Sequence, residues 1–173
     1  MNQIITAFAL LCCFLADMSP SPAQTAPAPL DGYTIKNIRR LVFSPFIVSQ
    51  GKYFWYGTDR GLVRRDSETG AERRFTTADG LSSNTVKCAA AAPDGSVWVG
   101  TAGGVCRFDG SVWKRYTTAD GLAYNDVTSI AAAPNGDIWA GFSISSGELC
   151  RFDGESWRIY TERDGFAVPG AVR

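Results

Sequence analysis

The sequence predicts an all-β fold, a partial β-propeller of about three and a half four-stranded antiparallel blades that repeat every 41–44 residues. Three observations predict it. Trp55, Trp98 and Trp139 stand in WYGT, WVGT and WAGF, separated by 43 and 41 residues. Asp-Gly recurs at 79–80, 120–121 and 164–165, at separations of 41 and 44. RFDG at 107–110 is spelled again at 151–154, with Trp113 and Tyr116 matched by Trp157 and Tyr160. Self-similarity at this period marks stacked supersecondary units that cannot bury their faces alone.

The middle copy shows how each unit divides. TVKCAAAA (85–92) runs to the turn Pro93-Asp94-Gly95, SVWVGT (96–101) to Ala102-Gly103-Gly104, VCRF (105–108) to Asp109-Gly110, and VWKRYTT (112–118) to Ala119-Asp120-Gly121. Asp-Gly between short apolar runs signals a hairpin, because glycine tolerates the positive φ of a tight turn. Val97 and Val99 fall on one face of a strand and Trp98 on the other. The periodic tryptophans read as filling between sheets rather than as sugar-stacking platforms. The first copy is looser: Pro45 interrupts its first strand region, and residues 64–70 read as a longer turn.

Three domains follow from composition: a signal peptide at 1–24, a Pro-rich linker at 25–35 and propeller repeats at 36–173. Residues 4–16 are too short an apolar run to span a bilayer and suit the core of a secretory signal. Leu10-Leu11-Cys12 offers a lipoprotein alternative. The expected location is periplasmic or secreted, with no membrane span after signal removal. With 17 basic and 17 acidic side chains, the chain has no charge excess to attract nucleic acid. It contains no histidine, which removes Ser-His and Cys-His nucleophile pairs and imidazole metal ligands. No catalytic, metal or cofactor residues are expected. Cys88, Cys106 and Cys150 read as small buried strand residues. Asp79, Asp120 and Asp164, one per copy beside glycine, read as turn residues rather than a carboxylate ring.

VTSIAAAPNGDIWAG (127–141), followed by GELCRFDG and YTERDG, resembles the two-component regulator propeller repeat. The resemblance covers roughly residues 38–173. It implies an extracytoplasmic ligand-sensing segment, here without a kinase of its own. The ligand is unknown, with carbohydrate a candidate. The count of blades falls short of a ring, so further blades are expected in cis, or self-association in trans; a truncated chain is one reading. Alternatives are a passive interaction scaffold or adhesin, and a propeller-type lyase or hydrolase fragment. One rim of the scaffold carries the longer and more varied turns. Its candidate ligand-binding residues are Asp59, Arg60, Asn84, Tyr124, Asn125, Asp126, Ser143 and Ser145.

Overall fold

The computed structural model describes residues 46–58, 60–142 and 148–164, all within the compact unit Ile38–Arg173. The segments expected as signal and linker, Pro45, and the expected start of a fourth repeat lie outside the described residues. Among the described residues twelve strands form three separate four-stranded antiparallel sheets, each in simple sequence order. Blade one is β1 (Ile47–Gln50), β2 (Tyr53–Thr58), β3 (Gly61–Asp66) and β4 (Glu72–Phe75). Blade two is β5 (Val86–Ala91), β6 (Val97–Thr101), β7 (Gly104–Phe108) and β8 (Trp113–Tyr116). Blade three is β9 (Ser129–Ala132), β10 (Ile138–Gly141), β11 (Leu149–Phe152) and β12 (Trp157–Tyr160). Neighbouring sheets touch along their first strands, β1 against β5 and β5 against β9, with β2 and β6 joining in. Such convergence at one edge is how blades gather around an axis.

Two differences from the sequence expectation have local causes. The last strand of blade two stops at Tyr116 instead of running to Thr118. There the Asp120 carboxylate takes the Thr117 N–H (2.8 Å) and hydroxyl (3.0 Å), bending the chain into a 3-10 turn at Thr118–Asp120. Residues 64–66, expected in a turn, complete β3, because Asp66 collects the N–H groups of Glu68 and Thr69 and so moves the turn to 67–70.

The space between blades is filled by a recurring aromatic quartet. Between blades one and two, Trp55 and Phe75 meet Phe108 and Trp113, with ring centroids 4.8–6.4 Å apart. Between blades two and three, Trp98 and Tyr116 meet Phe152 and Trp157 at 5.2–6.2 Å. Each offset or edge-on pair adds about 0.5–1.5 kcal/mol beyond its buried area. The strand alternation sorts the rest: Val97, Val99, Cys106 and Phe108 face blade one, while Trp98, Val105 and Tyr116 face blade three.

A basic side chain lies over the last aromatic ring of each blade from two residues earlier. Arg73 covers Phe75 at 4.6 Å, Lys114 covers Tyr116 at 4.9 Å and Arg158 covers Tyr160 at 4.8 Å. The same residues line the outer, unpaired strand edges, where charge discourages pairing with another sheet.

A candidate ligand-binding rim

The two ends of the blades are built differently. One end carries the tight Asp-Gly hairpins. Gly95 and Gly136 close equivalent turns by donating to Ala92 and Ala133, and Asp109 binds the N–H groups of Ser111 and Val112. Those bonds hold the Asp109 carboxyl down at about 2, Val112 contributing most and Ser111 next. An Arg–Asp pair braces this end in both later blades: Arg107 with Asp94 and Arg151 with Asp137, each 2.8 Å. The two aspartates occupy different places in their turns, PDGS and PNGD, yet reach the equivalent arginine.

The other end carries the inter-blade links and the β2–β3, β6–β7 and β10–β11 turns. Asn84 accepts the Thr77 N–H and Asn125 the Thr118 N–H, each at 2.9 Å, so one asparagine clamps each link. The link into blade two is tied to the β6–β7 turn by Ala102 N–H to Thr85 O (3.1 Å), and Thr101 O accepts the Val127 N–H from the next link (3.0 Å). Links and turns therefore form one continuous surface.

On that surface Tyr124, Asn125 and Asp126 stand side by side and exposed. The Tyr124 ring meets Phe142 edge-on at 5.5 Å, and its hydroxyl bonds Glu148, which raises its pKa above the usual phenol value. Asp126 pairs with Lys87 of β5. Arg60, exposed, turns its N–H to the Thr58 hydroxyl in the blade-one turn, and Asn84 is half-buried in the link beside it. Asp59, Ser143 and Ser145 lie outside the described residues. Sequence reasoning did not select Phe142, Glu148 or Lys87. Phe142 had a visible signal: it stands where WYGT and WVGT have the threonine that closes the turn onto glycine (Thr58 to Gly61 O 2.7 Å; Thr101 to Gly104 O 2.9 Å). Glu148 and Lys87 had none, because their pairing with this surface exists only across strands.

The repeated cysteines have a role that their apolar reading missed. Cys106 Sγ accepts the Ser82 N–H at 3.1 Å, and Cys150 Sγ accepts the Ala123 N–H at 3.3 Å. Each sulfur thus serves the residue just after the Asp-Gly-Leu of the incoming link. All three described cysteines are free thiols, and burial pushes Cys88 up to about 12. Among the described residues no group of histidine, cysteine or carboxylate side chains could hold a metal ion, and no helix is long and apolar enough to cross a membrane.

Three consecutive antiparallel blades that pack through a repeated aromatic quartet define a β-propeller segment. Within it residues 80–103 match the family model of the two-component regulator propeller. No curated protein matches the chain. Among solved structures it is similar to the extracellular domain of a hybrid two-component system from B. thetaiotaomicron, at TM-score 0.59 and 20% identity over 72% of this chain and 18% of that one. It is also similar to virginiamycin B lyase from Staphylococcus aureus, at TM-score 0.55 and 15% identity over 69% of this chain and 41% of that one. These likenesses are of fold. The chain spans less than a fifth of the two-component domain's length.

Proposed function

We propose that this chain is an extracytoplasmic ligand-binding propeller segment of the sensor kind, and that the rim around Tyr124 is its binding surface. The observation that carries the reading is the two-component regulator propeller repeat at residues 80–103, joined by the resemblance of the following copy. Support for the rim is its exposed Tyr124-Asn125-Asp126 run, an aromatic face beside an amide and a carboxylate. That combination suits a polyhydroxyl ligand, since a ring can stack on a sugar face while the polar pair takes hydroxyls.

The test is thermal unfolding of the purified chain against a panel of mono- and oligosaccharides. A ligand present at 100 times its Kd stabilises the folded state by about 2.7 kcal/mol, and the rise in Tm should vanish in Tyr124→Ala. No rise with any sugar would remove the carbohydrate assignment and favour a passive scaffold. An enzyme reading has one observation behind it, the fold shared with the lyase. A histidine-to-alanine variant of that lyase is catalytically inactive, and this chain has no histidine. Sensing rather than catalysis is therefore the reading we adopt.

A further inference from the structure

We propose that Arg64 and Arg73 of blade one form a binding site for the carboxylate group of an external ligand, at the place where blades two and three supply an aspartate of their own. The inference is independent of the ligand-sensing reading and of the rim around Tyr124. It starts from a row repeated in all three described sheets. The tryptophan of the second strand lies opposite an arginine of the third, which lies opposite a basic residue of the fourth. The rows are Trp55-Arg64-Arg73, Trp98-Arg107-Lys114 and Trp139-Arg151-Arg158. Opposite residues share one face of a sheet. Each row therefore sets two like charges side by side, which is destabilising unless an anion offsets them.

Blades two and three show the offset. Arg107 Cζ lies 5.7 Å from the centre of the Trp98 ring, and its Nη2 lies 2.8 Å from Asp94. A guanidinium is planar, so its face can rest on a ring while its N–H groups, in the plane, reach an acceptor. Arg151 reaches Asp137 through Nε at 2.8 Å, and Arg158 lies 3.9 Å from Asp164. Blade one keeps both cations but its turn differs. The stretch from Val48 to its partner Trp55 is one residue shorter than that from Ala90 to Trp98 or from Ala131 to Trp139. The shorter turn reads Gln50-Gly51-Lys52 and carries no carboxylate; Gln50 Oε1 accepts the Trp55 ring N–H at 3.3 Å.

Arg64 nevertheless stands over Trp55 at the same 5.7 Å, and also over Tyr53 (4.4 Å) and Phe75 (5.8 Å). Arg73 shares the Phe75 ring at 4.6 Å. Rings thus hold the faces of both guanidinium groups and leave their N–H edges for an acceptor, which lowers the ordering cost of binding. The nearby carboxylates are engaged elsewhere. Asp66, two residues along β3, takes the Lys52 ammonium (3.1 Å) and the N–H groups of Glu68 and Thr69. Glu72 lies on the other face with Arg65 and Tyr56. Among the described residues neither Arg64 nor Arg73 has a carboxylate partner. Arg73 is exposed and Arg64 half-buried, so a ligand can approach. The ligand group is a carboxylate because that is what the equivalent arginine holds in the other two blades.

The test follows the arginine side-chain N–H signals of the isotope-labelled chain by NMR at constant ionic strength. The probes are sodium galacturonate, acetyl-aspartate-amide and sodium phosphate, with galactose and sodium chloride as controls. A carboxylate probe should shift the Arg64 and Arg73 signals saturably, and its apparent Kd should rise several-fold in Arg64→Gln and in Arg73→Gln. The exposed Arg73 keeps the test open should Arg64→Gln fail to fold. A response to galacturonate alone would assign the carboxylate to a sugar acid, and one to acetyl-aspartate-amide alone to a peptide; either supports the site. Replacing residues 50–53 by a copy of residues 92–96 supplies an aspartate within the chain and should abolish the response. No saturable shift beyond that of chloride would overturn the proposal. So would binding unchanged in both glutamine variants or in the folded graft, or phosphate binding more tightly than either carboxylate.

Discussion

At the residue scale, the sulfur of Cys106 does what its apolar neighbours cannot. Valine occupies the equivalent position in blade one, so Cys106→Val is close to neutral in shape and removes one acceptor. The Ser82 N–H would then lose its partner, at a cost of about 1–3 kcal/mol for a desolvated donor. Urea unfolding should show that loss, whereas Val63→Cys should gain nothing comparable. Glycines separate by the same reasoning. Gly80 has φ of 118° and a Cβ there would lie 2.8 Å from Trp113 Cβ in the next blade; Gly110, with φ of 106°, faces open space. Backbone strain of about 1–3 kcal/mol applies to both alanine variants. Gly80→Ala adds a clash within the aromatic quartet, so its midpoint in urea should fall clearly below that of Gly110→Ala.

At the scale of single elements, the turns carry the charge that matters for acid stability. Asp109 and Asp66 are each held down to about 2 against an ordinary 3.8, chiefly by backbone N–H groups of Val112 and Thr69. Asp164 and Asp153 are lowered by similar bonds from Thr161 and from Ser156. A carboxyl with a depressed folded pKa contributes stability that is complete above its unfolded value and fades as pH falls through the folded one. The chain should therefore hold its Tm down to about pH 4 and lose it progressively toward pH 2. In Asp109→Asn the part of that loss due to this turn should disappear, with a lower Tm at neutral pH. A Tm independent of pH across that interval would contradict the assignment of these turns as ionised clamps.

At the scale of the whole molecule, stability is a sum of blades and interfaces, because the main contacts between the described sheets join neighbours in the series. Residues in one quartet should couple, and residues in different quartets should not. Trp98 and Phe152 face each other across one interface at 5.3 Å. Their double-mutant cycle should show an interaction of about 0.5–1.5 kcal/mol. Trp55 and Trp157 belong to different interfaces, and their changes should add within about 0.5 kcal/mol. Coupling as strong between Trp55 and Trp157 as between Trp98 and Phe152 would mean that the blades do not act as nearest-neighbour units.

The repeat by itself determined the fold class, the four strands of each blade, the facing of Val97 and Val99 opposite Trp98, and the two kinds of connection at the two ends. It could do so because strand period, turn chemistry and the spacing of tryptophans are local, and a repeated local pattern has one stacked solution. It did not disclose that Cys106 and Cys150 accept hydrogen bonds from a link, that Glu148 and Phe142 brace Tyr124, or that Trp139 differs from its two counterparts. Those facts depend on what lies across a sheet or in the next blade. Three tryptophans in the same motif look alike along the chain; only the packing of one blade against another makes two of them core and leaves the third half-buried.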